Sequence, residues 1–187
     1  MNKKIATFFL HLLGWKAVDP PAPEKKCIIL GVPHTSVWDF IISALYYASV
    51  GGKAYVMVKK EFFFWPIKNL LKRLGGLPID RKKGYNVVRQ SIHAFETHDS
   101  LHLAIAPEGT RKPTAKWKTG FYTIAEAANV PVYLGYFDWK KKEVSRGEKF
   151  VLSGDKKADM KKIRQYYKDK GIEGKHPKNF ITGSDLD

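Results

Sequence analysis

From Lys26 to Tyr136 short apolar runs alternate with stretches of helical periodicity, and this alternation limits the folds open to the chain. Lys26 to Val32, Lys53 to Val58, Leu77 to Ile79, Leu101 to Ala106 and Val130 to Tyr136 read as strands. Between them Phe40 to Val50, Pro66 to Leu74, Tyr85 to Glu96 and Phe121 to Asn129 read as helices, with Gly51-Gly52 and Gly75 as stops. Ile67, Leu70, Leu71 and Leu74 make the apolar stripe of the second helix, and Val88, Ile92 and Phe95 that of the third. Such a succession builds a sheet covered by helices on both faces. With 187 residues and 44% hydrophobic content, the chain is long enough for one core and short for two. The expected fold is α/β: a single domain with a mixed, largely parallel sheet flanked by helices.

The two ends depart from that pattern. In Met1 to Val18, Ile5, Phe8, Phe9, Leu12 and Leu13 share one helical face and Lys4, Thr7, His11 and Gly14 another, which predicts a short amphipathic helix. Lys3 and Lys4 before an apolar run superficially look like a signal peptide, but His11 and Trp15 interrupt it and no small-x-small site follows. No run reaches the roughly 18 apolar residues of a membrane span. Asp19-Pro20-Pro21-Ala22-Pro23 is a stiff connector, dividing an arm at 1–19 from a domain at 20–187. Toward the C-terminus, Phe137 to Leu152 reads as an antiparallel hairpin at the sheet edge. A basic helix from Lys156 to Lys170 follows, with Met160, Ile163, Tyr166 and Tyr167 inward.

Two motifs fall at the ends of predicted strands, where ligands of such sheets bind. His34-Thr35-Ser36-Val37-Trp38-Asp39 joins the first strand to the first helix. Its spacing fits two arrangements. A histidine in the loop can meet an aspartate in the first helical turn and act as a base on a hydroxyl. Equally, Ser36 can cap the helix with Asp39 reaching back to it. Pro107-Glu108-Gly109-Thr110-Arg111 is either a turn bent at Gly109 with Glu108 paired to Arg111, or a site whose Arg111 and amides hold a phosphate. Ile79-Asp80-Arg81 is a surface salt bridge or a second phosphate contact through Arg81.

Other signals exclude more than they assign. A formal net charge of +15 points to nucleic acid, anionic lipid or a phosphorylated substrate. Cys27 is the single cysteine, so no internal disulfide and no cysteine-based zinc site can form, and its apolar run places it in the core. His93, His98 and His102 lack a fixed ligand spacing, so no metal is expected. Phe62, Phe63, Phe64 and Trp65 cannot all point inward from one regular element, which leaves part of the group for a membrane surface or an acyl-chain groove.

Taken in order, these blocks resemble the phospholipid/glycerol acyltransferase family, which includes 1-acylglycerol-3-phosphate acyltransferase. His34 to Asp39 matches its H-x-x-x-x-D signature, and Gly76-Leu77-Pro78-Ile79-Asp80-Arg81 resembles its second block. Pro107-Glu108-Gly109-Thr110-Arg111 matches the P-E-G-T-R block, and Val130-Pro131-Val132 the V-P-I/V block. Lys118-Thr119-Gly120 resembles the stretch between the last two, and the likeness spans about residues 25–136. The ordered set is far more specific than any member and favours the catalytic arrangement of His34 and Asp39.

The resemblance implies direct acyl transfer without an acyl-enzyme. His34 would deprotonate the acceptor hydroxyl, oriented by Asp39, and the hydroxyl would attack the thioester of acyl-CoA or acyl carrier protein. No cofactor beyond that co-substrate is implied. Glu108, Gly109, Thr110, Arg111 and Arg81 would hold the acceptor phosphate, and Pro131 would shape the acyl or acceptor pocket. Phe62, Phe63, Phe64, Trp65, Leu70 and Leu74 would contact acyl chains or the membrane.

The acceptor would be a glycerol-3-phosphate-type lysolipid such as lysophosphatidate. Departures from the pattern keep an ornithine-type or other acceptor open, since Pro33 stands where many members carry Asn and about fifty residues follow the fourth block. An acceptor of this class resides in a bilayer, so the chain is expected on the cytoplasmic face of the cell membrane, peripheral or monotopic, against anionic lipid. Two readings from other classes compete. The charge and nine tyrosines suggest a nucleic-acid-binding module, but the basic residues are spread over many turns without a nucleic-acid motif, and no specific nucleic acid is expected. A lipid-binding protein without turnover would have no need of intact His34, Asp39, Glu108 and Arg111.

Overall fold

The apolar runs pair into a six-stranded sheet. The computed structural model describes residues 2–80 and 87–182. Its elements are α1 (Lys3–Leu12), β1 (Lys16–Ala17), β2 (Lys26–Leu30), α2 (Trp38–Ser49), β3 (Ala54–Lys59), α3 (Ile67–Arg73), β4 (Gly76–Ile79), α4 (Val87–Thr97) and β5 (Leu101–Ile105). They continue with α5 (Gly120–Ala128), β6 (Val132–Tyr133), β7 (Tyr136–Asp138), β8 (Glu143–Ser145), β9 (Lys149–Phe150) and α6 (Lys156–Lys170), with 3-10 turns at Lys60–Phe62 and Pro177–Asn179. The sheet order is β4-β3-β5-β2-β6-β9. All neighbours pair in parallel except β6 and β9, which are antiparallel. This is the mixed, largely parallel α/β sheet that the alternation predicts. Arg81 and the start of the helix predicted at Tyr85 lie outside the described residues.

Central β2 shows why the sheet needs helices on both faces. Successive residues point to opposite sides of a strand. Ile28 and Leu30 join a core with Leu103, Phe121, Tyr122, Ile163 and Tyr167, drawn from β5, α5 and α6. Cys27 and Ile29 join a second core with Ile42, Tyr46 and Tyr47 of α2 and with Leu10 of α1. Burial pushes the Cys27 thiol up to about 12, so it stays protonated and packs as a small apolar group.

The run read as one strand from Val130 to Tyr136 is in fact two, in different sheets. Val32 bridges Tyr136 beyond the end of β2, and the Phe137 N–H donates to the Val32 carbonyl. The chain therefore leaves β6, crosses the tip of β2 and enters a separate three-stranded sheet, β1-β8-β7. The predicted hairpin forms there as β7 and β8, not at the edge of the main sheet, where β9 lies instead.

The N-terminal helix is docked, because it has a second apolar face. Ala6 and Leu10, one turn apart, are buried against α2, while Ile5, Phe8, Phe9 and Leu12 are exposed. The proline connector is tied down as well: the Tyr46 hydroxyl donates to the Asp19 carbonyl, and the Ala22 N–H donates to the Tyr47 hydroxyl. Among the described residues no helix is long and apolar enough to cross a membrane.

Candidate active site

His34 and Asp39 are brought together by the first turn of α2. The Asp39 carboxylate is 1% exposed. Its Oδ2 accepts the N–H groups of Thr35 at 2.9 Å and Ser36 at 2.8 Å and lies 3.4 Å from His34 Nδ1. Its Oδ1 accepts the indole N–H of Trp139 at 2.9 Å. Three fixed donors thus hold the carboxylate in one orientation. Ser36 Oγ accepts the Trp38 N–H at 3.2 Å, so the capping arrangement and the His-Asp arrangement coexist in one loop. With Nδ1 facing Asp39, the ring nitrogen left for a substrate is Nε2, and a carboxylate at Nδ1 favours the tautomer whose Nε2 can accept a proton.

The second motif closes on the first. Beyond β5, Gly109 has a φ of 65° and donates its N–H to the Ala106 carbonyl at 3.1 Å. That bend turns Glu108 inward, where its Oε2 accepts the backbone N–H of His34 at 2.7 Å. Glu108 is 6% exposed, and its Oε1 has no hydrogen-bond partner among the described residues. Burial pushes its carboxyl up to about 8, opposed by the His34 N–H bond and reinforced by the charge of Asp39. Glu108 is turned to the His34 backbone, not to Arg111, and does not line the cavity between the two loops. Through this bond Glu108 ties the turn after β5 to the backbone of the His34 loop.

Between these loops lies a cavity of about 390 Å³. His34, Asp39, Gly109, Thr110 and Arg111 line it on one side, while Val56, Met57, Ala104, Ile105 and Phe137 supply apolar wall. Three predicted phosphate contacts therefore meet the base. Pro131 does not line this cavity: its carbonyl accepts the Ile28 N–H and sets β6 against β2. Phe62, Phe63, Phe64, Trp65, Leu70 and Leu74 do not line it either. They follow β3, and α3 buries none of its residues. Trp65 is 87% exposed, with Phe62, Phe64, Ile67 and Leu70 exposed beside it. Of the three histidines weighed for metal, buried His102 bonds the Tyr47 hydroxyl and the Glu24 carbonyl.

Residues 19–134, which carry both loops, match the family model described as Acyltransferase. The chain belongs to the Acyltransferase family. It is an acyltransferase, and its two motifs face one cavity. In structure this acyltransferase is similar to the crystal structure of the 1-acyl-sn-glycerophosphate (LPA) acyltransferase PlsC from Thermotoga maritima. The two share 16% identity and a TM-score of 0.60 over 92% of this chain and 80% of the other, a likeness of fold. No curated protein matches the chain.

Some residues of this acyltransferase site carry no sequence signal. Trp139 reaches Asp39 across 100 positions, from a segment that reads only as the shoulder of a lysine-rich turn. Phe40, Ser43 and Phe137 also line the cavity, and only the three-dimensional path of α2 and β7 brings them there.

Proposed function

We propose that this acyltransferase moves a fatty acyl group from acyl-CoA or acyl carrier protein to the hydroxyl of a glycerol-3-phosphate-type lysolipid, such as lysophosphatidate. The observation that carries the reading is the His34-Asp39 pair set between an apolar wall and the Thr110-Arg111 loop of one cavity. His34 Nε2 takes the acceptor proton as the oxygen attacks the thioester carbonyl. The tetrahedral intermediate collapses with loss of the thiolate, and the imidazolium returns its proton to sulfur. Asp39 stabilises that imidazolium, and general-base help of this kind is typically worth ~10²–10⁴ in rate. Holding both substrates in reach supplies much of the remainder. Arg111, a planar fork suited to phosphate oxygens, receives the acceptor headgroup, and the apolar wall receives the start of the acyl chain.

Membrane attachment at the cytoplasmic leaflet, peripheral or monotopic, accompanies this reading. Ile5, Phe8, Phe9 and Leu12 on α1 and the Phe62 to Leu70 segment are exposed apolar groups flanked by lysines, the pattern of an element lying in the interface. Both await a bilayer rather than a protein core. Replacing Phe8 and Leu12 with Gln, with buried Ala6 and Leu10 left in place, separates membrane contact from folding. Reduced vesicle flotation with an unchanged melting temperature is expected, and unchanged flotation would remove α1 from the interface.

Transfer itself is tested with purified protein and its His34→Ala variant, given acyl-CoA and acyl carrier protein thioesters and a panel of lysolipids including an amine acceptor. Acylated lysophosphatidate that disappears with His34 is the expected product. A product on the amine acceptor alone would replace the acceptor class and leave the base in place.

A further inference from the structure

The family match ends at residue 134, yet both catalytic loops are held from beyond it. The segment after α6 returns across the site. The Trp139 N–H donates to the Glu173 carbonyl at 2.9 Å, the His176 N–H to Thr35 Oγ1 at 3.3 Å, and Asn179 Nδ2 to the Arg111 carbonyl at 3.1 Å. Gly174 permits the approach, because a Cβ there would stand 2.7 Å from the Thr35 hydroxyl oxygen. One strap thus touches the His34 loop and the Arg111 loop together.

His176 and Asn179 of this strap help line an open cleft of about 610 Å³, whose other walls are Thr35 to Trp38 of the His34–Asp39 loop and Thr110 to Lys112. The two spaces share Thr110 and Arg111. Arg111, Lys112 and His176 line the cleft with Asn179 and the hydroxyl groups of Thr35 and Ser36, and no acidic side chain lines it among the described residues. Lys175 adds a further cation at its rim, 5.2 Å above the ring of Trp38. Donors and cations converge without a carboxylate to neutralise them, which is the composition of a phosphate site.

We propose that residues 172–180 complete the active site, and that Lys112 and His176 join Arg111 there in binding a phosphate group of one of the two substrates. The inference rests on the acyl-transfer reading of the cavity. Phosphate chemistry is common to a lysophosphatidate headgroup and to the nucleotide of acyl-CoA, and kinetics distinguish them. Lys112→Ala and His176→Ala each raise one KM about tenfold, the loss of a charge-assisted contact, while kcat changes little. A rise confined to lysophosphatidate assigns the cleft to the acceptor. A rise confined to acyl-CoA, absent with acyl carrier protein, assigns it to the donor.

Lys112→Arg retains the contact and restores KM, which loss of loop structure alone would not allow. Direct binding is read on the full chain by calorimetry, with glycerol 3-phosphate and adenosine 3′,5′-bisphosphate as probes. His34→Ala lowers turnover steeply and keeps binding, whereas the Lys112→Ala/His176→Ala double variant loses binding. Active protein whose KM values and probe binding are both untouched by the double variant overturns the inference. Probe binding lost in the double variant, with no transfer by the parent, sustains the cleft and sinks the acyl-transfer reading instead.

Discussion

The His34–Asp39 loop and the segment from Lys60 to Leu74 both follow parallel strands of one sheet, and they solve opposite problems. In the loop, a buried carboxylate meets three N–H donors and a histidine, and a second buried carboxyl grips the backbone. In the segment after β3, a run of aromatic and leucine side chains is turned outward and α3 buries nothing. The contrast teaches where the fold spends order. The His34–Asp39 pair is set in the interior where Asp39 has fixed neighbours, and apolar surface is left exposed at a rim.

The largest expected effect tests the chemical half. His34→Ala removes the proposed base while Asp39 keeps its three N–H donors, so the melting temperature should stay close to the parent's and kcat should fall by ~10²–10⁴. Turnover retained within a few-fold would place the base elsewhere and reduce the loop to a helix cap.

Next in size is the pH response of Glu108. Its folded value of about 8 lies above the ordinary 4.5, so the folded state holds the proton that the unfolded state releases. Stability from this group is full below about pH 4.5, declines as pH rises, and is lost once pH passes about 8. The loss over that window is on the order of a few kcal/mol. Glu108→Gln cannot ionise, so its stability relative to the parent should improve between pH 5 and pH 8, as read from paired denaturation curves. A parallel offset at both values would mean that Glu108 is ionised in the folded protein.

Trp139→Phe is smaller and sharper. It deletes one N–H donor to Asp39 and leaves the ring volume largely filled. A buried hydrogen bond to a charged group is worth about 1.5–3 kcal/mol, part of which appears as lost stability and part as lower kcat. The catalytic part is read at fixed saturation, with KM for the acceptor unchanged. A change confined to KM would make Trp139 a wall of the pocket rather than a support for Asp39.

These residues also mark how far the chain could be read as text. The parallel strands and the pairing of His34 with Asp39 are legible because they are local or periodic: β2 is a continuous apolar run, and His34 and Asp39 sit five positions apart. The contact of Glu108 with the His34 backbone is not legible, because spacing cannot tell which way a carboxyl turns, and the bend at Gly109 aims it at His34. The docking of α1 is not legible, since its exposed stripe is the more conspicuous one and Ala6 and Leu10 give a weaker signal. Trp139 and the strap at residues 172–180 act across separations of 100 and 141 positions, which no motif encodes.

The smallest expected effect on folding tests the other half of the contrast. Trp65 is 87% exposed, so Trp65→Ser removes almost no contact within the folded chain and should change stability by no more than about 0.5 kcal/mol. In a bilayer interface the same indole would bury most of its surface, and burying a large apolar side chain contributes about 1.5–3 kcal/mol. Partition onto anionic vesicles should then fall about tenfold or more, with solution stability unchanged. A variant that melts early would show that Trp65 packs within the protein. One that melts normally and binds vesicles as well as the parent would show that this rim faces water, and the apolar surface after β3 would need another occupant.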